Sequence, residues 1–399
     1  MKTTTRTQQY IFGLCILLCL SLCLVYLNRS ADTPPERLPG GSSVSLLLGS
    51  FTVHPAKNEQ DGQGAYLVEF SPHLRQFSEP RLLTSAPNPS YFALSEAGRV
   101  YSVFRGADEE SDTLNVFSWH AQQRALSPIS SVPAAGRSPC YVALHPDETH
   151  VVVANYQSGN VSVYALNPSS GAVKVDSRQL IAHSGRGPHQ SRQASAHAHW
   201  AQWNAAGNKL YVVDLGIDKV MMYPFDRQTG EVGAAEVAYT AQPGAGPRHM
   251  AFHPTLARAY LLNELNSTLT ALKVEKNGRL KKVATLSTLP QQYRGPNQAA
   301  HIEINRASTA IYTSNRGHNS IAVFQLDPSG AMRLKHTVGS GGLWPRHFLL
   351  LEQYQAMVVA NVRSNNLALL NIEDDGGLTN TEVSTFAPKP NFVTALRAN

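Results

Sequence analysis

The chain has 399 residues, of which 16% are charged, with 28 glycines and 24 prolines. That length holds one large fold or two ordinary domains, and the composition suits a turn-rich β protein better than a helical one. The net charge of +6 is scattered, with no basic run and no basic helix, so nucleic acid is not an expected partner.

At the N-terminus, Lys2 and Arg6 precede an uncharged apolar run from Tyr10 to Leu27. This is the pattern of a secretory signal or a signal-anchor. The length favours an anchor, and Asn28 to Ala31 is a poor small-x-small cleavage site. Residues 1–30 are therefore read as a signal peptide or signal-anchor helix, and residues 31–43, rich in proline, as a linker. The remainder is expected to be exported, periplasmic or extracellular, touching a membrane only through residues 10–27. Cys15, Cys19 and Cys23 recur on one helical face of that run. Leu14, Leu18 and Leu22 occupy the position where a lipobox needs a small residue, so these cysteines read as small apolar side chains. Beyond them only Cys140 remains, which rules out an internal disulfide.

From residue 44 a unit of about 50 residues recurs, made of an apolar strand, a hairpin and a second strand ending in Asn or Asp. Aligning the copies heads the first strands with Tyr91, Tyr141, His199, His249, His301, His347 and Phe392. The second strands end near Arg105, Asn155, Asp214, Asn263, Asn315 and Asn361. A third strand, a glycine turn (Gly171, Gly230, Gly278, Gly330, Gly377) and an outer strand complete each unit. One spacing is longer because of an insertion, roughly residues 182–193. Four strands per unit is propeller geometry. Leu46 to Ser50 reads as a second strand with no first strand before it, and Pro390 to Leu396 as a first strand with nothing after it. The expected fold is all-β: a seven-bladed β-propeller over residues 44–399, its ring closed by the C-terminal strand pairing into the first blade.

The repeat supplies its own control for unusual charges. After the Asn or Asp, the copies read Tyr156, Leu215, Glu264, Arg316 and Val362. Before the first-strand aromatic or histidine they read Ser90, Cys140, Ala198, Arg248, Ala300, Arg346 and Asn391. Uncharged residues at most copies imply that Glu264 and Arg248 are not needed for packing. A purely structural ion pair is the competing explanation. His197 and His199 lie at i and i+2, on one face of a strand. No third ligand follows at a diagnostic spacing, so no metal is expected. Cys140 reads as a buried thiol, not a nucleophile. No G-x-S-x-G elbow, Walker loop or dinucleotide fingerprint is present.

The stretch Gly244-Ala245-Gly246-Pro247-Arg248-His249-Met250-Ala251-Phe252-His253-Pro254, with Asn263-Glu264-Leu265-Asn266-Ser267 downstream, resembles the signature of the propeller-type lactonases. That family includes bacterial 6-phosphogluconolactonase and the carboxy-muconate lactonising enzymes. The resemblance covers about residues 44–397 and implies a seven-bladed propeller, a sugar-type lactone as substrate and no organic cofactor. It carries the family's catalytic His, two Arg and Glu onto His199, Arg248, Arg316 and Glu264. Glu264 or His199 would be the base; Arg248 and Arg316 would bind the anionic substrate and stabilise charge on its carbonyl oxygen. His249, His301, Arg346, His347, Asn155 and His197 would line the substrate site. The protein is expected to act as a monomer on a small-molecule lactone. The alternative is a non-catalytic extracytoplasmic propeller serving as a scaffold, which would carry its recognition on the outer rims.

Overall fold

A computed structural model describes residues 43–52 and 60–397. The expected signal or anchor segment, residues 1–30, and the linker up to residue 42 lie outside the described residues. Among the described residues no helix is long and apolar enough to cross a membrane.

The described chain forms seven antiparallel sheets, each built from an inner, a second, a third and an outer strand, the outer one of the first blade being split into Gln76–Phe77 and Arg81–Ser85. The blade that carries the lactonase-like motif runs Pro247–Phe252, Arg258–Asn263, Thr268–Val274 and Leu280–Ser287. Its second strand is buried on both faces, so it reads as the near-continuous apolar Ala-Tyr-Leu-Leu. Its outer strand alternates exposed and half-buried residues from Val283 on and carries the exposed Lys281 and Lys282 at the rim, which protects the sheet edge.

Ring closure follows the expected route. Pro390–Ala395 pairs with Val44–Ser50, with Leu46 opposite Ala395 and Leu48 opposite Val393. Phe51 N–H donates to Lys389 O at 3.0 Å and Leu396 N–H to Ser45 O at 2.8 Å, extending the ladder at both ends.

Neighbouring blades are tied by a recurrent tyrosine. Tyr101, Tyr211, Tyr260 and Tyr312, all on second strands, donate their hydroxyls to Gly171, Gly278, Gly330 and Gly376 of the next blade, at 2.7–2.9 Å. These glycines take positive φ, between 73° and 94°, the left-handed region that glycine enters at least cost. In the last blade Gly376, not Gly377, has this role: it is the one at positive φ and the one Tyr312 reaches.

Candidate active site

Each inner strand slips register against its second strand near its start. Pairing jumps from Pro89 to Tyr91, Pro139 to Tyr141, Ala198 to Trp200, Pro247 to His249, Ala299 to Ile302, Pro345 to His347 and, in the closing strand, Pro390 to Phe392. A bulge at one place in every blade re-aims one side chain per strand without disturbing the pleat beyond it. The bulged residues include Ser90, Cys140, His199, Arg248, Arg346 and Asn391.

This register corrects the sequence alignment in one blade. Trp200 pairs with Val213 as His249 pairs with Leu262, so Trp200 is the counterpart of His249 and His199 the counterpart of Arg248. The second strands are shifted likewise at one point: Phe104, not Arg105, pairs opposite Pro89 as Asn263 does opposite Pro247. Arg105 therefore belongs with Tyr156, Glu264 and Arg316, in the position just past the strand-ending pair.

Two rings of residues result, and together they wall one cavity of about 380 Å³. The bulged residues supply Ser90, Cys140, His199 and Arg346. The residues just past the second strands, or for Arg316 at the very end of one, supply Phe51, Arg105, Tyr156, Glu264 and Arg316. Backbone hydrogen bonds pin the latter: Glu264 N–H donates to Gly246 O at 2.7 Å and Tyr156 N–H to Ser138 O at 3.0 Å.

Glu264 is buried in a cage of three guanidinium groups. Arg192 Nη2 donates to Oε1 at 2.5 Å. Arg248 Nε and Arg316 Nη2 lie 2.9 and 2.8 Å from Oε2. The Arg248 Nε–H is not aimed at that oxygen, so this contact is a charge pair, not an aligned hydrogen bond. Burial alone would raise the Glu264 carboxyl, but Arg316, Arg248 and Arg192 overcome it and hold the group far below the usual carboxylate range. Arg248 is pushed down to about 10, first by burial and then by Arg316, and stays a cation at neutral pH. Arg316 also donates from Nε to Gln298 O at 3.2 Å and from Nη2 to Ala299 O at 3.1 Å.

His199 lies on the same wall. Its Nδ1 is 3.8 Å from the Cys140 sulfur, and Nε2 has no protein partner among the described residues. Burial, then Arg248, drives its pKa well below the usual imidazole value, so the ring is neutral with a nitrogen lone pair available. Burial pushes the Cys140 thiol up to about 12, which keeps it protonated and a poor nucleophile.

The other expected site residues separate into groups. Arg346 lines the cavity, its guanidinium 5.2 Å from the Phe51 ring centre; Arg105 lies 5.5 Å from the same ring. Neither is paired with a carboxylate among the described residues. His197 stacks on Tyr156 with ring centres 4.5 Å apart and supports the wall from behind. Asn155 is buried and donates to Ala134 O at 3.1 Å, away from the cavity. His249, His301 and His347 do not reach the cavity. With Tyr91, Tyr141, Trp200 and Phe392 they form an aromatic plug across the channel. His301 stacks on His347 at 3.8 Å and Phe392 closes on Tyr91 at 4.5 Å. Beyond the plug lies a second cavity of about 670 Å³, onto which His249 and His301 face.

Arg192 was not legible as a site residue. It comes from the insertion, whose loop is held by Gln193 Nε2 donating to Leu215 O at 2.8 Å and by Gly187 N–H donating to Gln193 O at 2.9 Å. Arg192 also donates to the Tyr156 hydroxyl at 3.2 Å. Among the described residues no three His, Cys, Asp or Glu side chains gather as metal ligands would.

Residues 45–395 match the family described as lactonase, 7-bladed beta-propeller. A 6-phosphogluconolactonase of Bacillus subtilis is 31% identical over 318 residues, covering 79% of this chain and 89% of that protein. An uncharacterized protein of Lactococcus lactis is 32% identical over 349 residues, covering 86% and 97%. Among solved structures, a protein from Lactobacillus plantarum superposes with a TM-score of 0.80 at 29% identity, over 89% of this chain and 100% of that one. A periplasmic gluconolactonase of Pseudomonas aeruginosa has the same fold, with a TM-score of 0.81 at 24% identity, over 89% of this chain and 99% of that one.

Proposed function

The chain belongs to the seven-bladed β-propeller lactonases, and from that premise we propose that its central cavity hydrolyses a sugar-type lactone carrying an anionic group. The observation that carries the reading is the charge inventory of the cavity: Arg105, Arg192, Arg316 and Arg346 line it, Arg248 adjoins it, and among the described residues Glu264 is the one carboxylate in the wall. Among the described residues, Arg105 and Arg346 are the cavity arginines without a carboxylate partner, and they would take the anionic group of the substrate. A guanidinium fork matches a carboxylate or phosphate in two-point geometry. The name of the Bacillus subtilis relative makes a phosphorylated sugar lactone the first compound to test.

The division of labour follows from the electrostatics. A carboxylate held by three guanidinium groups is a weak base, so Glu264 serves to hold Arg192, Arg248 and Arg316 in place. His199 is the better base. Its neutral ring accepts a proton from water as the oxygen attacks the lactone carbonyl, and returns it to the ring oxygen as the tetrahedral intermediate opens. Arg192 and Arg316 reach the cavity and stabilise charge on the carbonyl oxygen. The bond broken is the ring C–O bond, and the product is a hydroxy acid. The apolar run at residues 10–27 supports an exported enzyme.

The test is acid release from δ- and γ-lactones, with and without phosphate or carboxylate, by the purified protein. We expect turnover that favours the anionic lactones and falls on the order of 10²-fold or more in His199→Gln, the usual size of a general-base contribution. A wild-type protein that opens none of these lactones would overturn the reading and favour a non-catalytic binding propeller.

A further inference from the structure

The second cavity, beyond the aromatic plug, is joined to the catalytic one by a chain of polar contacts. Glu303 sits at the far mouth, its side chain 27% exposed, two residues along the strand Gln298–Ile304 from the buried His301. Glu303 Oε1 lies 3.0 Å from His301 Nε2. His301 Nδ1 lies 3.4 Å from His249 Nδ1, and His249 Nε2 lies 3.1 Å from Arg248 Nη1. Arg248 then meets Glu264.

The two ends of this chain fix every proton in it. A guanidinium only donates, so His249 Nε2 must accept. His249 then carries its proton on Nδ1 and donates it to His301 Nδ1. His301 in turn carries its proton on Nε2, where the Glu303 carboxylate accepts it. A proton added to either ring would set two donors against each other. An isolated imidazole has two tautomers, and which one is present is set by the partner of its other nitrogen. Here that partner is Glu303.

We propose that Glu303 is a positioning residue for turnover: through His301 and His249 it sets, together with Ala300 O, which accepts from the same Nη1, the orientation of the Arg248 guanidinium against Glu264. The effect on turnover rests on the lactonase reading above; the proton order in the chain does not. Glu303 touches the far cavity and not the substrate, so its removal acts on the rate of the chemical step and leaves substrate binding in place.

Two variants and one spectroscopic readout test this. In the full-length protein with ¹⁵N-labelled histidine, two-bond ¹⁵N–¹H spectra report the tautomer of each ring. We expect Nε2–H on His301 and Nδ1–H on His249. Glu303→Leu removes the acceptor; the tautomer signals of both rings should shift, and kcat should fall on the order of tenfold, the size carried by groups that orient an active residue, while KM holds. Glu303→Gln keeps an oxygen that accepts the same bond, and should retain both tautomers and most of kcat. The proposal is overturned by Nε2–H on His249 in the wild type, by a Glu303→Leu protein with unchanged kcat, or by Glu303→Gln failing as Glu303→Leu does. If Glu303→Leu does not fold, the wild-type tautomers and the glutamine variant still decide. A wild type without lactone turnover would sink the functional reading, and the spectra would still accept or reject the chain.

Discussion

Arg192 and Glu264 stand 72 residues apart in the chain, and their side chains meet at 2.5 Å. One belongs to an insertion without a counterpart in the other blades, the other to the most recognisable motif in the protein. The loop therefore completes the anion cage that the motif begins, and Arg192 is the member of the cage that Arg248 and Arg316 cannot replace at Oε1.

Arg192→Ala should for this reason be a catalytic lesion more than a stability one. Its side chain is partly exposed, and the loop is anchored separately through Gln193. We expect kcat/KM on the best anionic lactone to fall on the order of 10²-fold, the loss typical of one oxyanion donor, with an unchanged melting midpoint. Equal activity in wild type and variant would show that the insertion only decorates the mouth.

Glu264→Gln should do the opposite of what comparing the repeats implies. Leu215 and Val362 occupy equivalent places, which makes the position look tolerant. The structure surrounds Glu264 with three guanidinium groups, two of them buried, and removing the anion leaves those charges uncompensated. Breaking a buried pair in this way costs about 3–5 kcal/mol. Denaturant unfolding of the variant should show that loss, and a variant as stable as wild type would mean that the arginines find other partners.

Acid should destabilise the protein early. Burial lowers the pKa of His199, His249 and His347 well below the usual value. The unfolded chain therefore takes up protons that the folded one refuses. Stability is full above about pH 6.5 and falls as pH drops below it, by about 1.4 kcal/mol per pH unit for each such ring. Glu264 works in a lower window: its depressed carboxyl adds stability that is full above about pH 4.3 and is lost progressively as pH falls from there to the folded value. Urea midpoints should accordingly decline between about pH 7 and pH 5. A flat profile across that interval would contradict the burial of the plug.

Deleting residues 389–399 should open the ring. The deletion removes the strand paired with Val44–Ser50 and the backbone acceptor of the Trp119 indole, Arg397 O at 3.1 Å. Phe392 would also leave the aromatic plug. A truncated protein with the wild-type melting temperature would show that the first blade does not need its inner strand.

The propeller was legible because the repeat states its own period, and because Leu46 to Ser50 reads as a second strand and Pro390 to Leu396 as a first strand of one unit. The meeting of Arg248, Glu264 and Arg316 was legible because most copies at those positions are uncharged. What escaped has physical reasons. A bulge changes hydrogen-bond register without changing residue type, so the sequence pattern matches His199 to His249 although Trp200 takes that place. The same offset hid Arg105 behind Phe104. The histidines at the strand heads look like ligands in a linear sequence. Only the register shows that they turn into the plug while the residue before each turns out. Arg192 had no repeat to be compared with.

The bulge recurring in every blade separates two kinds of selection. The bulged residue of four inner strands, Ser90, Cys140, His199 and Arg346, lines the cavity, and the pleat on either side of it faces neighbouring blades, so a change at the first need not be accommodated by the second. Ser90, Cys140, His199 and Arg346 show how different such side chains can be within one ring. A family built this way can exchange substrates by single substitutions at those sites while its blades continue to pack. Members with the same fold and diverging cavity walls are then the expected outcome of drift, and the composition of those few positions, more than overall identity, should track which lactone each member opens.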